Sequence, residues 1–189
     1  MTDAEIVAAE NRFGLAFPPD YRLFLATLHT PDPPMIGARF EGSDLIPDQA
    51  RSFPDWTGDD RPIETLIAWP LEGLIWSIEQ DKRWHPNWGR RPRGRRQREA
   101  LLRDISSAGP QLVPVSGHRY LVGPTNREGN PVLSIYGSDV IVYTRNLVFY
   151  LPLDLGIAPP NPDPHVETLR MEPIPFWQDI IDGLPWHFA

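Results

Sequence analysis

The sequence predicts an α+β fold: an N-terminal helical pair packed on a mostly antiparallel β-sheet, with short closing helices. Three observations carry this expectation. Residues 2–28 repeat apolar positions at helical spacing, interrupted once by a Gly and a Pro-Pro pair. Residues 112–143 hold four short β-rich runs separated by turn sequences, too closely spaced for parallel crossovers. The chain of 189 residues shows no convincing linker, and that length buries about 70% of the surface its unfolded form exposes. We therefore expect one domain over 1–189, with its core at about 2–155 and a Pro-rich C-terminal extension at 156–189.

The first helix is announced by Thr2 and Glu5, which have capping-box spacing, each able to bond the other's free backbone N–H. Ile6, Ala9 and Phe13 follow at helical spacing, and Gly14 stands where a left-handed C-cap is wanted. Pro18-Pro19-Asp20 stops this helix and starts the next, since Pro is tolerated only in a helix's first turn. Tyr21, Phe24, Leu25 and Leu28 give the second helix its apolar face. Residues 29–62 are loop-rich, with edge-strand candidates at Met35–Phe40 and Asp44–Ile46. Ile63–Trp69 reads as a short helix or turn, and Gly73–Glu79 as a compact apolar strand. Trp84–Pro92 is expected to be an ordered loop, and Gln97–Ser107 a helix with Ala100, Leu101 and Ile105 inward and Gly109 as its stop.

The second half reads as a meander of Leu112–Val115, Arg119–Val122, Val132–Ile135 and Val140–Tyr143. Short helices follow at Asn146–Leu151 and Phe176–Ile181, with PPNPDPH (159–165) as a rigid surface excursion between them.

Composition narrows the function classes. Zero Cys removes disulfides, thiol nucleophiles and Cys-based zinc sites together. No stretch approaches the ~18 apolar residues of a membrane span, and the start MTDAE lacks the basic, apolar character of a secretory signal. A cytoplasmic protein without membrane attachment is expected. The net charge of −7 conceals an asymmetry. Residues 82–103 hold nine basic residues against Glu99 alone, while the rest of the chain has nine bases against 24 acids, a balance of −15.

Catalytic patterns are weak, so no enzyme activity, cofactor or metal is expected. The five His form no metal-ligand pair, and neither Ser116 nor Ser134 sits in a nucleophile elbow. His118, at a strand entrance, is the best candidate for a general base or polar anchor, and its plainer reading is a buried His bonded to a turn carbonyl. Asp59-Asp60 reads as a pair of solvated turn residues. Six Arg within 90–98 precede and begin a helix, where the macrodipole disfavours cations, so helix formation does not explain them. They suit phosphates, or the chain's own acid excess, or solvent. The −15 elsewhere argues against a polyanion partner. Trp84 and Trp88, flanking Pro86, read first as a packed lid over the core and second as a stacking platform.

The block Ile6–Leu28, IVAAENRFGLAFPPDYRLFLATL, carries the pattern "E…FG…P.DY..FL". With LVPVSGHRYLVG (112–123) and GNPVLSIYGSDVIVYTRNLVFYL (129–151), it resembles the SUKH superfamily, the Smi–Knr type domain. The resemblance covers about two-thirds of the chain, the N-terminal block and 66–151, while 30–62 and the tail after 155 depart from the pattern. It implies a non-catalytic module. Bacterial members are mostly immunity proteins that neutralise secreted or contact-delivered toxins, often nucleases, and eukaryotic relatives are regulatory scaffolds in cell-wall signalling. A cognate toxin domain, blocked by occlusion of its active site, is the partner so implied. Candidate contacts are Trp84, Trp88, Arg90, Arg91, Arg93, Arg95 and Arg96 with Asp55, Asp59 and Asp60, and His118 is the candidate polar anchor. The alternative is a regulatory scaffold that binds nucleic acid or a phosphoprotein through 90–98.

Overall fold

The structure, a computed structural model, describes residues 1–29, 38–41, 44–47, 53–123, 126–155 and 172–183. Helices α1 (Asp3–Phe13) and α2 (Pro19–Leu28) form as their end signals predict. Glu5 N donates to the Thr2 hydroxyl, Thr2 N donates back to Glu5 at 2.7 Å, and Gly14 takes φ 63° as the C-cap. Asp3 and Glu10 of α1 both accept from Arg22 of α2, so the short turn is clamped on its outer side. Ile6, Ala9, Phe17, Tyr21, Phe24 and Leu25 are buried. Leu28 is not: it is the last residue of α2 and half exposed.

Four strands form one antiparallel meander: β3 (Leu112–Ser116), β4 (Arg119–Val122), β5 (Val132–Tyr136) and β6 (Asp139–Thr144). Ahead of them in the chain, β1 (Ala38–Glu41) and β2 (Asp44–Pro47) pair separately, with Arg39 opposite Ile46. These lie close to the expected edge strands, and Met35–Gly37 falls outside the described residues. Successive residues of a strand face opposite sides, and the meander buries both. Leu121 joins Val113 and Val132 in a core with α1, α2 and α5 (Leu147–Asp154). Tyr120 and Val122 join Leu133, Ile135 and Val140 in a second core with α4 (Arg95–Ser106) and α6 (Trp177–Ile181). The fold is α+β, with the helical pair on one face of the sheet as the sequence predicts. Tyr21 fixes that pair: its buried hydroxyl donates to the Pro114 carbonyl at 3.0 Å and accepts from the Trp56 indole at 3.0 Å.

The main departure is α3 (Asp60–Asp81), a 22-residue helix where the sequence suggests a short helix and then a strand at Gly73–Glu79. Leu71, Leu74, Ile75 and Ile78 recur at three- and four-residue intervals, a helical stripe, and they enter the second core. Ile63 and Ile67 belong to the first core, so α3 serves both. Pro70 lies mid-helix, where it removes the N–H that would bond the Leu66 carbonyl. The Tyr120 hydroxyl donates to that carbonyl at 2.9 Å and replaces the missing bond.

Three smaller expectations also change. Helix α4 starts at Arg95 and buries Arg98 and Leu102, with Leu101 and Ile105 half-buried, while Ala100 is exposed. The core does not end at 155, because Ile174, Trp177 and Ile180 are buried in it. The 159–165 excursion lies outside the described residues. Among the described residues no helix is long and apolar enough to cross a membrane.

Tyr120→Phe should lower stability by about 1 kcal/mol, because it leaves a part-buried carbonyl without its donor. Urea unfolding in a Pro70→Ala background, where a backbone N–H returns to Leu66, should show a smaller loss. An equal loss in both backgrounds would contradict this account of α3.

Candidate partner-binding surface

The segment after α3 begins at Lys82, whose φ of 54° ends the helix in a left-handed cap. Trp84 and Trp88 then meet edge to face at 5.4 Å. The Trp84 indole donates to the Gly89 carbonyl at 2.8 Å and the Trp88 indole to Asp179 of α6 at 2.8 Å. Asn87 reaches the other Asp179 oxygen at 2.8 Å, and Phe176 stacks on Trp88. With 1% and 6% exposure, Trp84 and Trp88 are core residues that clamp α6. As partner contacts they are corrected: neither ring presents a surface to dock against.

The Arg segment divides into two groups. Arg98 is buried; it donates through Nε and Nη2 to the two Glu79 oxygens and through Nη1 to the carbonyls of Pro92 and Arg93. That pair sews α4 to the end of α3 and pins the intervening loop. The Arg98 hydrogen bond holds the Glu79 carboxyl below its ordinary pKa of 4.5. Arg95 pairs with Glu99 at 2.7 Å, and Arg103 with Glu72 at 2.7 Å. Arg90, Arg93 and Arg96 are exposed and Arg91 is half-buried, with no ion pair for these four among the described residues.

The acidic candidates sit at the other end of α3. Asp55 accepts from the backbone and hydroxyl of Thr57 at 3.1 and 2.8 Å, a local turn. Asp59 is the N-cap residue of α3, and Asp60 pairs with Arg12 of α1. The 22 residues of α3 put about 33 Å between this group and the Arg segment. The two sets therefore do not form one site. Each complements the macrodipole of α3, acids at its N-terminus and cations beyond its C-terminus.

His118 occupies the Gly117-His118 turn between β3 and β4 and is half-buried. Its carbonyl accepts from Ile135 N at 3.0 Å, and its ring stands edge-on to Tyr136 at 6.2 Å. It is a half-buried turn residue at the rim of the sheet.

That rim carries the more informative surface. The β3–β4 and β5–β6 turns lie at the same end of the meander. There Gly137 presses against α3 at Gly73 and Ser77, and a side chain at Gly137 would collide with the Ser77 hydroxyl. Trp69 lies beside this contact, and Trp76 shares its helix face seven residues on. Trp76 is 63% exposed, Tyr136 is 67% exposed, and Trp69 and Ile141 are also exposed. Trp69 and Trp76 are thus exposed on α3 and Tyr136 on the hairpin that meets it, and exposed aromatics on rigid elements are the composition of binding hot spots. The sequence signal existed: Trp69 and Trp76 flank Gly73 at helical spacing, but only if 69–76 is read as helix.

A groove of about 1060 Å³ opens at the opposite end of the sheet, between Gly123, Arg127, Arg145 and Pro173. It brings together no nucleophile and base. Among the described residues no group of three acidic or His side chains is placed to hold a metal.

Replacing Arg98 by Ala should cost about 3 kcal/mol, because the half-buried Glu79 loses its partner, whereas Arg93→Ala or Arg96→Ala should stay within about 0.5 kcal/mol. Glu79 is depressed in the folded state, so its contribution is full above the ordinary value and lost as pH falls through the folded one. Acid unfolding of Glu79→Gln should accordingly be less steep below pH 4.5 than that of the parent chain. Equal slopes would exclude the pair from the acid response.

The chain matches no protein-family model, no curated protein and no solved structure.

Proposed function

We propose that this chain is a non-catalytic, protein-binding module of the SUKH type that acts in the cytoplasm as an immunity protein, occluding the active site of a toxin. The observation that carries the reading is the exposure of Trp69 and Trp76 on α3 and of Tyr136 on the hairpin, the two elements joined by the Gly73–Gly137 contact. Trp and Tyr lose little conformational entropy on binding and bury large areas, so a fixed group of them favours a protein partner. The acid excess outside 82–103 supports a basic partner such as a nuclease domain, by raising the encounter rate. Occlusion needs no chemistry from this chain, only a rigid surface.

A second reading has one observation behind it: Arg90, Arg91, Arg93 and Arg96 make no ion pair among the described residues. Three such cations in the loop and a fourth in the first turn of α4 suit nucleic acid or a phosphoprotein. The competing charge of −15 elsewhere weighs against it.

Co-expression with a toxin domain encoded beside this chain, followed by calorimetry, separates the two. The Trp76→Ala/Tyr136→Ala chain should bind the toxin at least about tenfold more weakly, and neutralising Arg93, Arg95 and Arg96 should change affinity little. Absence of affinity for the neighbouring toxin would sink the immunity reading. A salt-dependent nucleic-acid shift abolished by the Arg changes would establish the alternative.

A further inference from the structure

Helix α3 carries a ridge that the rest of the fold leaves open. Trp69 is 43% and Trp76 63% exposed, seven residues apart on one face. At 3.6 residues per turn this face runs between a Glu72/Glu79 stripe and a Gly73/Ser77 stripe. The first stripe is tied to α4 through Glu72–Arg103 and Glu79–Arg98. The second is pressed by Gly137 of the β5–β6 hairpin. Both Trp therefore stand on a helix braced from either flank. Exposed Thr65 and Gln80 extend the ridge evenly, four residues before Trp69 and four after Trp76.

The ends of α3 carry opposite charge. Residues 55–64 hold Asp55, Asp59, Asp60 and Glu64 against Arg61, whereas residues 82–96 hold seven bases and no acid. Asp59 and Glu64 at one end, and Arg90, Arg93 and Arg96 at the other, are exposed. None of these five makes an ion pair among the described residues. The helix keeps the two sets about 33 Å apart, so neither can neutralise the other within one chain. In a second copy turned end for end they can.

Both patterns share one symmetry. Thr65, Trp69, Trp76 and Gln80 read alike from either end about the midpoint between Glu72 and Gly73. A two-fold axis through that midpoint sets Trp69 of one copy against Trp76 of the other, twice over. It also lays Asp60 opposite His85 of the second copy, so an acidic end meets a basic segment at each end. A parallel arrangement would instead set like charges together. We propose that the chain pairs with a second copy of itself through antiparallel α3 ridges, Trp69 and Trp76 packed at the centre and acid–arginine contacts at both ends. The net charge of −7 opposes association, and opposite charges offset this where the copies touch. The pairing goes beyond the immunity reading and does not need it. On that reading the pair is a resting form that covers Trp69 and Trp76. A toxin then binds the dilute single chain, whose face is free.

Sedimentation equilibrium of the intact chain over a concentration series measures the pairing. The parent chain should reach twice the monomer mass, and Trp76→Ala should pair at least about tenfold more weakly. Asp59→Arg/Glu64→Arg and Arg90→Glu/Arg93→Glu/Arg96→Glu should each pair more weakly alone. Mixed together they should form a heterodimer, because both end contacts return with their signs exchanged. The chain has no Cys, so a spin label on Gln80→Cys is unique. The two labels of a pair should lie roughly 25 Å apart, against about 10 Å for parallel helices. A parent chain that stays monomeric, pairing untouched by Trp76→Ala, or labels about 10 Å apart would each overturn the proposal. So would folded charge-swapped chains that fail to associate when mixed. Mass and label distance decide it even where a variant does not fold. A pair without toxin affinity would leave the proposal standing and sink the immunity reading. Toxin binding by a chain that is monomeric throughout would do the reverse.

Discussion

Between Leu66 and Ser77, α3 rests on the end of the sheet through two contacts with little latitude. At the first, Pro70 deprives Leu66 of its helical partner and the Tyr120 hydroxyl supplies a replacement at 2.9 Å. At the second, Gly73 and Gly137 bring the helix and hairpin backbones together, where any side chain on Gly137 would strike Ser77. A defect in the helix ladder thereby becomes a tether, because a part-buried carbonyl left unsatisfied is costly and the Tyr120 hydroxyl satisfies it. Everything exposed at that end inherits its position from this seat. Trp69 and Trp76 lie on α3, Tyr136 lies on the hairpin, and the glycine contact fixes one relative to the other.

The same helix organises the charges. Its acidic N-terminus sits against Arg12, and its far end is fastened by Glu79 to Arg98. Arg98 is thus a structural residue within a segment whose other cations remain at the surface. The two buried arginines invite comparison. Arg98 finds a carboxylate and two carbonyls inside the fold, while Arg119 finds a hydroxyl and an aromatic face. Burial is alike in both, and the ion pair to Glu79 makes Arg98 the fastening between α3 and α4.

Legibility in the sequence followed the range of the interactions. The Thr2–Glu5 box, the Gly14 cap and the strand turns are set by neighbours in the chain, and each was readable there. The interior of α3 was not, because Pro70 and the run Leu74-Ile75-Trp76 imitate a break followed by a strand. Only the tertiary bond from Tyr120 resolves the break. The surface of the sheet was less legible still. Arg119, Ser134 and Ile141 become neighbours through strand register, a property of pairing that no local pattern encodes. Trp84 and Trp88 read first as a packed lid, which their burial matches; what the sequence could not show is that α6, from some ninety residues away, closes them off as partner contacts.

Amide hydrogen exchange, compared between the free chain and its complex with the proposed toxin partner, bears most directly on which surface binds. The account predicts slowed exchange on complex formation along 69–76, 116–119 and 134–141, with 90–96 unchanged. Slowed exchange confined to 90–96, with the hairpin end of the sheet unaffected, would contradict it.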